Sequence, residues 1–219
     1  MNHEKIDSFG YYDFCRFDVI ALITHTEIEP ISVLEIGCSS GGTLAKITDI
    51  WKNAIVKGVE IVPDIATIAQ NRGLDVICRN IENDELPYEM ESFDYIIIAD
   101  VIEHLYDPDK VLQELLLYMK KGGKYLCSVP NIQHISIVND LMKGKFEYVD
   151  AGILDKTHIR FFTLHSVKQL FSRLNMVIEF IQGVTWSMQG PLLTDIINEE
   201  ITSQKLFEFQ QILISARKV

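Results

Sequence analysis

Apolar runs alternate with amphipathic segments along most of the chain. Phe93–Ala99 is almost wholly apolar, which is typical of a strand covered on both faces of a parallel sheet. Between such runs, Thr43–Trp51 repeats apolar residues at helical spacing. The alternation predicts an α/β fold with a mostly parallel sheet and helices on both faces. Seven strands are predicted, at Ile31–Ile36, Ala54–Ile61, Leu74–Arg79, Phe93–Ala99, Lys124–Val129, Val177–Ile181 and Phe207–Ala216.

The chain is predicted to form one domain, residues 1–219, because neither a linker nor a repeat interrupts the alternation. Tyr11–Thr24 has the helical spacing of apolar positions. Residues 1–28 are therefore predicted to form an N-terminal cap helix over the sheet edge or over a binding site. Two further helices are predicted at Pro108–Lys121 and Leu164–Leu174.

Residues 131–160 depart from the alternation. They follow the predicted fifth strand, Lys124–Val129, at the end where an open α/β sheet has its ligand crevice. An irregular segment in this place is more often a wall or lid over a ligand than a linker. We therefore predict that residues 131–160 form an insertion that covers the binding site.

The charge balance narrows the class of partner. The chain has 31 acidic and 20 basic side chains, a formal net charge of −11 and no basic stripe, so a nucleic-acid partner is not expected. Its apolar runs are shorter than the roughly 20 residues that a membrane span needs. Because the polar N-terminus also lacks an apolar signal-peptide core, we expect a cytoplasmic protein.

The cysteines are scattered through the chain without a Cys-x-x-Cys pair. Zinc sites and disulfide frameworks need tighter spacing, so reduced and mostly buried thiols are predicted. The carboxylates and histidines form no visible cluster of ligands for a divalent metal, and no metal site is expected. The four cysteines are Cys15, Cys38, Cys78 and Cys127.

A glycine-containing turn follows the first predicted strand, in the sequence Val-Leu-Glu-Ile-Gly-Cys-Ser-Ser-Gly-Gly. Gly37 and Gly41 allow the backbone to turn sharply and to approach a ligand closely. Glu60 ends the second predicted strand, where its carboxylate could accept hydrogen bonds from both hydroxyls of a ribose. The alternative for the loop alone is a tight strand-to-helix turn without a ligand.

Together these motifs resemble the class I S-adenosylmethionine-dependent methyltransferases over nearly the whole chain. Val33–Gly41 resembles their first motif, and Gly58-Val59-Glu60 their ribose-binding strand end. Phe93-Asp94-Tyr95 through Leu105, with the later Lys120–Gly123, resembles their fourth-strand region. The resemblance implies a Rossmann-like sheet of seven strands whose last strand is antiparallel. It also implies S-adenosylmethionine as cofactor and S-adenosylhomocysteine as product.

The resemblance assigns cofactor contacts residue by residue. The methionine part is expected at the first loop and at the end of the fourth strand, the ribose at the end of the second strand, and adenine just beyond the third. Ser39 stands where the family usually has glycine, and Asn80 where it often has Asp. The expected cofactor residues are Gly37, Cys38, Gly41 and Asp100 for methionine with Glu35 supporting the first loop, Glu60 with Ile61 for ribose, and Asn80 with Ile81 for adenine.

Two alternatives remain open from the sequence. Gly37-x-Ser39-x-x-Gly42 is one substitution away from a dinucleotide fingerprint, which would indicate an NAD-dependent oxidoreductase. Against this, Ser39 would crowd the pyrophosphate where the backbone must come close. The second alternative is a module that binds S-adenosylmethionine but has lost catalysis.

Three histidines are candidates for removing a proton from a methyl acceptor. His104 follows the fourth strand, His134 follows the fifth, and His158 lies in the insertion. The segments around His134 and His158 resemble a bacterial branch of the family that is often encoded in polysaccharide gene clusters. That resemblance implies O-methylation of a small or glycan-linked acceptor. The alternatives are a helix-entry role for His104 and a polar clasp of Asp155, His158 and Arg160 that holds the insertion down.

Overall fold

The computed structural model describes residues 14–187, 190–196 and 203–219. Within them, eight strands form one sheet in the order β3-β2-β1-β4-β5-β8-β6-β7. The strands are β1 Ser32–Ile36, β2 Ile55–Glu60, β3 Val76–Cys78, β4 Phe93–Ala99, β5 Met119–Pro130, β6 Met176–Ser187, β7 Gly190–Asp195 and β8 Gln211–Lys218. The helices are α1 Phe17–Ile20, α2 Gly42–Ile50, α3 Pro63–Asn71, α4 Pro108–Leu115, α5 Ile135–Met142, α6 Leu164–Arg173 and α7 Ser203–Leu206, with a 3₁₀ turn at Ile102–His104.

Strands β1 to β5 are parallel, and β8 pairs antiparallel with both β5 and β6. The predicted parallel sheet and its antiparallel last strand are therefore confirmed. The predicted count of seven strands is wrong, because β7 pairs antiparallel with β6 at the sheet edge. Its sequence, Gly-Pro-Leu-Leu-Thr-Asp, has the Gly-Pro pair typical of a turn, but Pro191 is tolerated in a strand that has only one partner.

Alternate residues of the central strands face opposite layers of helices, as the apolar runs predict. On one face, Leu34 of β1 belongs to a core cluster with Val111 and Leu112 of α4. On the other face, Val33 belongs to a cluster with Ile47 of α2. Both faces of the sheet are thus covered by helices, which explains why β4 is almost entirely apolar.

The end of α4 differs from the prediction. The sequence predicts a helix through Lys121 that is ended by Gly122-Gly123, whereas α4 ends at Leu115 and both glycines lie inside β5. Gly122 has φ 78°, and a Cβ on Gly123 would lie 2.9 Å from the carbonyl oxygen of Lys120. The glycines therefore serve a sharp irregularity at the start of the strand rather than a helix end.

The N-terminal prediction is tested only in part. Within the predicted cap, the structure has the four-residue helix α1, from which Val19 and Ile20 pack into the core. A continuous helix through Thr24 is therefore wrong, since the chain turns after Ile20. Residues 1–13, which include Tyr11 and Tyr12, lie outside the described residues.

The segment 131–160 contains helix α5, which the sequence pattern did not predict. Its beginning is held to the C-terminal part of the chain, because the Asn131 side-chain amide donates to the carbonyls of Leu206 and Phe209. Its end is held to the 3₁₀ turn after β4, because the N–H groups of Ile159 and Arg160 donate to the carbonyl of Glu103. None of the described helices combines the length and the apolar character that crossing a bilayer requires.

Candidate active site

The carboxyl ends of the central parallel strands meet at one edge of the sheet. Ile36 at the end of β1 is in register with Val59 of β2 and Ile98 of β4, and Ala99 with Ser128 of β5. The side chains that follow these positions are consequently neighbours, although they are far apart in sequence. This edge is where an open α/β sheet binds its ligand.

The loop after β1 has the tight backbone that its sequence predicts. Gly37 and Gly41 have φ of 69° and 85°, and a Cβ on Gly37 would lie 2.7 Å from Cγ2 of Val101. Ser39 also lies in the left-handed region, with φ 55°, so it adopts a conformation that glycine usually takes. The substitution of glycine by Ser39 is thus accommodated by the backbone of the loop.

Glu60 ties this loop to the end of β2. Its buried carboxylate accepts hydrogen bonds from the N–H groups of Ser39 and Val62, each at 2.9 Å. A carboxylate has about four lone-pair positions, so two remain for a ligand. Ile61, the next residue, is exposed.

Glu35 and Cys38 are buried below the loop. Burial raises the pKa of Glu35 to about 8, and its Oε2 has no hydrogen-bond partner among the described residues. The Cys38 thiol packs in an apolar cluster with Leu44 and Val76, and burial raises its pKa. Only the backbone of Cys38 is therefore placed to line a ligand, while Glu35 offers an unsatisfied oxygen.

The predicted adenine contacts lie beyond β3. The Asn80 side chain accepts a hydrogen bond from the N–H of Glu82 at 3.0 Å, which fixes a turn, and Ile81 packs against the core. Asn80 also lines an open cleft with Tyr106 and Lys110. The side-chain oxygen of Asn80 thus keeps a second lone pair for the predicted contact with adenine.

From the sequence, Arg16 together with Tyr11 and Tyr12 could either fold over the cofactor as a lid or begin an ordinary amphipathic helix. In the structure, Arg16 is buried against the same sheet edge. It forms ion pairs with Asp18 at 2.8 Å and with Asp100, and it donates to the Ser128 hydroxyl at 3.0 Å. Burial alone would lower the pKa of Arg16, but Asp100 and Asp18 raise it above its ordinary value. The N-terminal segment is therefore fastened to the ends of β4 and β5 by one cation.

Asp100 is held from several directions. It has φ 53°, and its carboxylate accepts hydrogen bonds from Ser128 and from the side-chain amide of Gln211, each at 2.9 Å. Ser128 and Gln211 were absent from the predicted site. A polar residue at the end of β5 is the one signal that could have indicated Ser128, whereas Gln211 reaches the site only because β8 lies beside β5.

Two of the three candidate histidines lie together. The rings of His104 and His158 are in edge contact, with centroids 4.8 Å apart. Nε2 of His158 lies 3.9 Å from Oε1 of Glu103, a buried carboxylate whose pKa is raised by burial and by Asp100. Burial lowers the pKa of His104.

His134 occupies a different position. It is the N-cap residue of α5, and its Nδ1 lies 2.8 Å from the Ser136 hydroxyl. The hydrogen bonds of its side chain therefore stay within the start of its own helix. Asp155, part of the predicted clasp, accepts hydrogen bonds from the N–H and the hydroxyl of Thr157, so it shapes the loop that carries His158.

Comparison with known proteins decides the family. A family model described as a methyltransferase domain matches residues 10–179. The chain belongs to this methyltransferase family. It is 34% identical over 124 residues to a probable S-adenosylmethionine-dependent methyltransferase of Mycolicibacterium smegmatis. That match covers 55% of this chain and 46% of the relative. It is 31% identical over 155 residues to an uncharacterized protein of Methanocaldococcus jannaschii, which covers 65% of this chain and 70% of that protein.

The fold agrees with solved methyltransferases. The structure of a possible histamine N-methyltransferase from Thermotoga maritima has a TM-score of 0.68 and 21% identity, and the match covers 92% of this chain and 86% of that one. The family match identifies an S-adenosylmethionine-dependent methyltransferase rather than an NAD-dependent oxidoreductase, and the class I fold agrees with that assignment. The chain spans less than half the length of the M. smegmatis relative.

The residues at the sheet edge fit this methyltransferase cofactor. Glu35, Glu60, Asp100 and Glu103 place four carboxylates there, with Arg16 as the cation that ion-pairs with one of them. Burial raises the pKa of Glu35 and of Glu103, and a ligand that brings positive charge would favour the ionised form of both carboxyl groups. S-adenosylmethionine carries a sulfonium and an ammonium, and the unsatisfied Oε2 of Glu35 is a suitable acceptor at this edge.

Proposed function

We propose that this methyltransferase transfers the methyl group to a hydroxyl oxygen of a small or glycan-linked acceptor. The observation that carries the proposal is the His104–His158 pair, since a hydroxyl needs help in losing its proton whereas a neutral amine does not. His104 lies in the 3₁₀ turn that follows β4, whose carboxyl end is part of the cofactor edge, and the loop of the insertion brings His158 against it. His134, at the start of α5, is the third candidate and is given a capping role in this proposal.

S-adenosylmethionine supplies an electrophilic methyl group and a neutral thioether leaving group. The chain's own part is to position the two reactants in line and to assist proton removal. Under this proposal, Glu60 and the loop Gly37–Gly41 hold the cofactor, Asp100 lies towards its methionine end, and the His104–His158 pair activates the acceptor oxygen. Asn80 and Ile81 flank adenine.

We also propose that residues 131–160 roof the acceptor site within a single domain. Both ends of the segment are fixed by backbone hydrogen bonds, from Ile132 to Phe162 and from Ile159 to Glu103. Phe146 and Tyr148 of the segment form an aromatic cluster with Phe161, which directly follows it, and the cluster is partly exposed. Exposed aromatic rings suit the apolar faces of a sugar or a phenol. Protection of this segment from hydrogen exchange, measured with and without acceptor, tests the arrangement.

Glu60→Ala should weaken binding of S-adenosylhomocysteine by about 1.5–3 kcal/mol, or roughly 10- to 150-fold in Kd, because hydrogen bonds to a charged group are lost. Glu60→Gln keeps an acceptor oxygen, so its Kd for S-adenosylhomocysteine should lie between those of the wild type and Glu60→Ala. Calorimetric titration measures both values. Asp64→Ala removes an exposed carboxylate in the first turn of α3 and is the matched control, with an unchanged Kd expected. Equal affinities of the Glu60→Ala and control variants would remove Glu60 from the ribose site.

The acceptor class is tested by transfer of a labelled methyl group to a panel of glycans, phenols, carboxylic acids and amines. The proposal expects label in hydroxyl-bearing compounds, as a methyl ether that survives alkaline hydrolysis. A methyl ester would not survive that treatment. Transfer to amines or carboxylates alone would contradict O-methylation of a hydroxyl while leaving the cofactor assignment intact.

A further inference from the structure

Glu103, His104 and His158 bring three metal-binding side chains to one point beside the cofactor edge. One candidate donor atom from each residue lies within 4.8 Å of the other two. Two donors that are each about 2.1 Å from a common ion lie about 3–4 Å apart, so small side-chain movements would complete the coordination. The separation of 3.9 Å between Nε2 of His158 and Oε1 of Glu103 already lies within this range. That distance is too long for a hydrogen bond.

Both imidazoles are oriented as metal ligands usually are. The Nδ1–H of His104 donates to the carbonyl oxygen of Thr157 at 3.1 Å, and the Nδ1–H of His158 donates to that of Ile153 at 3.0 Å. A histidine that binds a metal through one nitrogen commonly donates its other N–H to a carbonyl or carboxylate. These bonds leave Nε2 of each ring as a lone-pair donor.

The Glu103 carboxylate provides a second, independent indication of a ligand. Its side chain is 1% exposed, and neither oxygen has a hydrogen-bond partner among the described residues. A buried ionised carboxylate without partners costs several kcal/mol, so such a group is normally protonated, paired with a cation or bound to a metal. The cation Arg16 is engaged by Asp18 and Asp100 instead.

We propose that Glu103, His104 and His158 bind one divalent transition-metal ion. Two imidazoles and one carboxylate suit Fe²⁺, Co²⁺ or Zn²⁺ better than Mg²⁺, which prefers oxygen ligands. Three protein donors leave coordination positions open, and two neighbouring positions match an acceptor with two adjacent oxygens, such as a vicinal diol. This part of the inference rests on the proposed O-methyl transfer.

The ion gives the acceptor oxygen its reactivity without redox chemistry. A hydroxyl bound to a divalent ion has a lowered pKa and loses its proton to solvent near neutral pH. The oxygen then forms a bond to the methyl carbon while the carbon–sulfur bond breaks, and the electron pair of that bond remains on sulfur. The charges balance, because the sulfonium becomes a neutral thioether and the deprotonated oxygen becomes a neutral ether.

Titration of the metal-free protein, saturated with S-adenosylhomocysteine, with Co²⁺ tests the site. Visible absorption of bound Co²⁺ and calorimetry should show one equivalent bound. Glu103→Gln, His104→Ala and His158→Ala should each weaken Co²⁺ binding at least tenfold, with S-adenosylhomocysteine affinity and the melting temperature showing that each variant folds. His165→Ala removes an exposed histidine of α6 and should change nothing.

Failure of the metal site can be told apart from failure of the proposed function. Equal Co²⁺ affinities in the wild type and the three variants would overturn the site. Full methyl transfer after chelation would also overturn its catalytic part, yet it would leave O-methylation standing with a histidine as the base. Site-specific Co²⁺ binding without transfer to any hydroxyl would keep the metal site and contradict the proposed function.

Discussion

His158→Ala and His104→Ala should each lower kcat by about 10²–10⁴-fold while leaving the affinity for S-adenosylhomocysteine nearly unchanged. Each substitution removes an imidazole from the pair proposed to activate the acceptor oxygen, but neither ring belongs to the loop after β1 or to the end of β2. Steady-state kinetics with an acceptor from the panel, together with cofactor titration, measures the two quantities separately.

His134→Ala is the comparison for this pair. Its ring caps the start of α5, so we expect less than a tenfold loss of kcat and a small loss of stability. The opposite pattern, with a large loss for His134→Ala and little for the other two, would move the activating group to α5. Small losses in all three variants would leave positioning of the reactants as the source of catalysis.

The parts of the fold that the sequence predicts correctly depend on local patterns. The run Phe93–Ala99 and the glycine turn after β1 specify a buried strand and a sharp loop within a few residues of themselves. Parallel neighbours then follow from the connecting helices. The edge strand β7 was missed because its pairing with β6 compensates for a sequence that resembles a turn.

The acceptor side of the site shows why the rest could not be predicted. Glu103 and His104 adjoin β4, yet their meaning depends on His158, which a loop of the insertion brings back to them. His104 and Thr157, which orients its ring, are 53 positions apart. A contact between residues so far apart leaves no periodic pattern in the sequence. The expectation of no metal site came from sequence spacing alone, whereas the metal proposal rests on this contact in the fold.

Arg16 presents the same difficulty with a different consequence. It is 84 positions from Asp100 and 112 from Ser128, so no local sequence pattern predicts these two contacts. In the fold it is 8% exposed and is the cation between two carboxylates. The N-terminal segment, predicted as a cap from helical spacing, is thus attached to the site by charge as well as by apolar packing.

Arg16→Met should lower the free energy of unfolding by about 3–5 kcal/mol, measured by urea denaturation, because Asp18 would be left as a buried charge without its partner. Arg16→Met combined with Asp18→Asn should recover part of the loss, since that charge is then removed as well.

Arg173→Met is the matched control. Arg173 makes a two-point contact with Asp109, but both side chains are about half exposed, so the expected loss of stability is below about 1 kcal/mol. If the two single variants lost the same stability, Arg16 would be no more than a surface ion pair. A larger loss for Arg16→Met, with recovery in the double variant, requires that the N-terminal segment is held to the sheet edge by this buried cation.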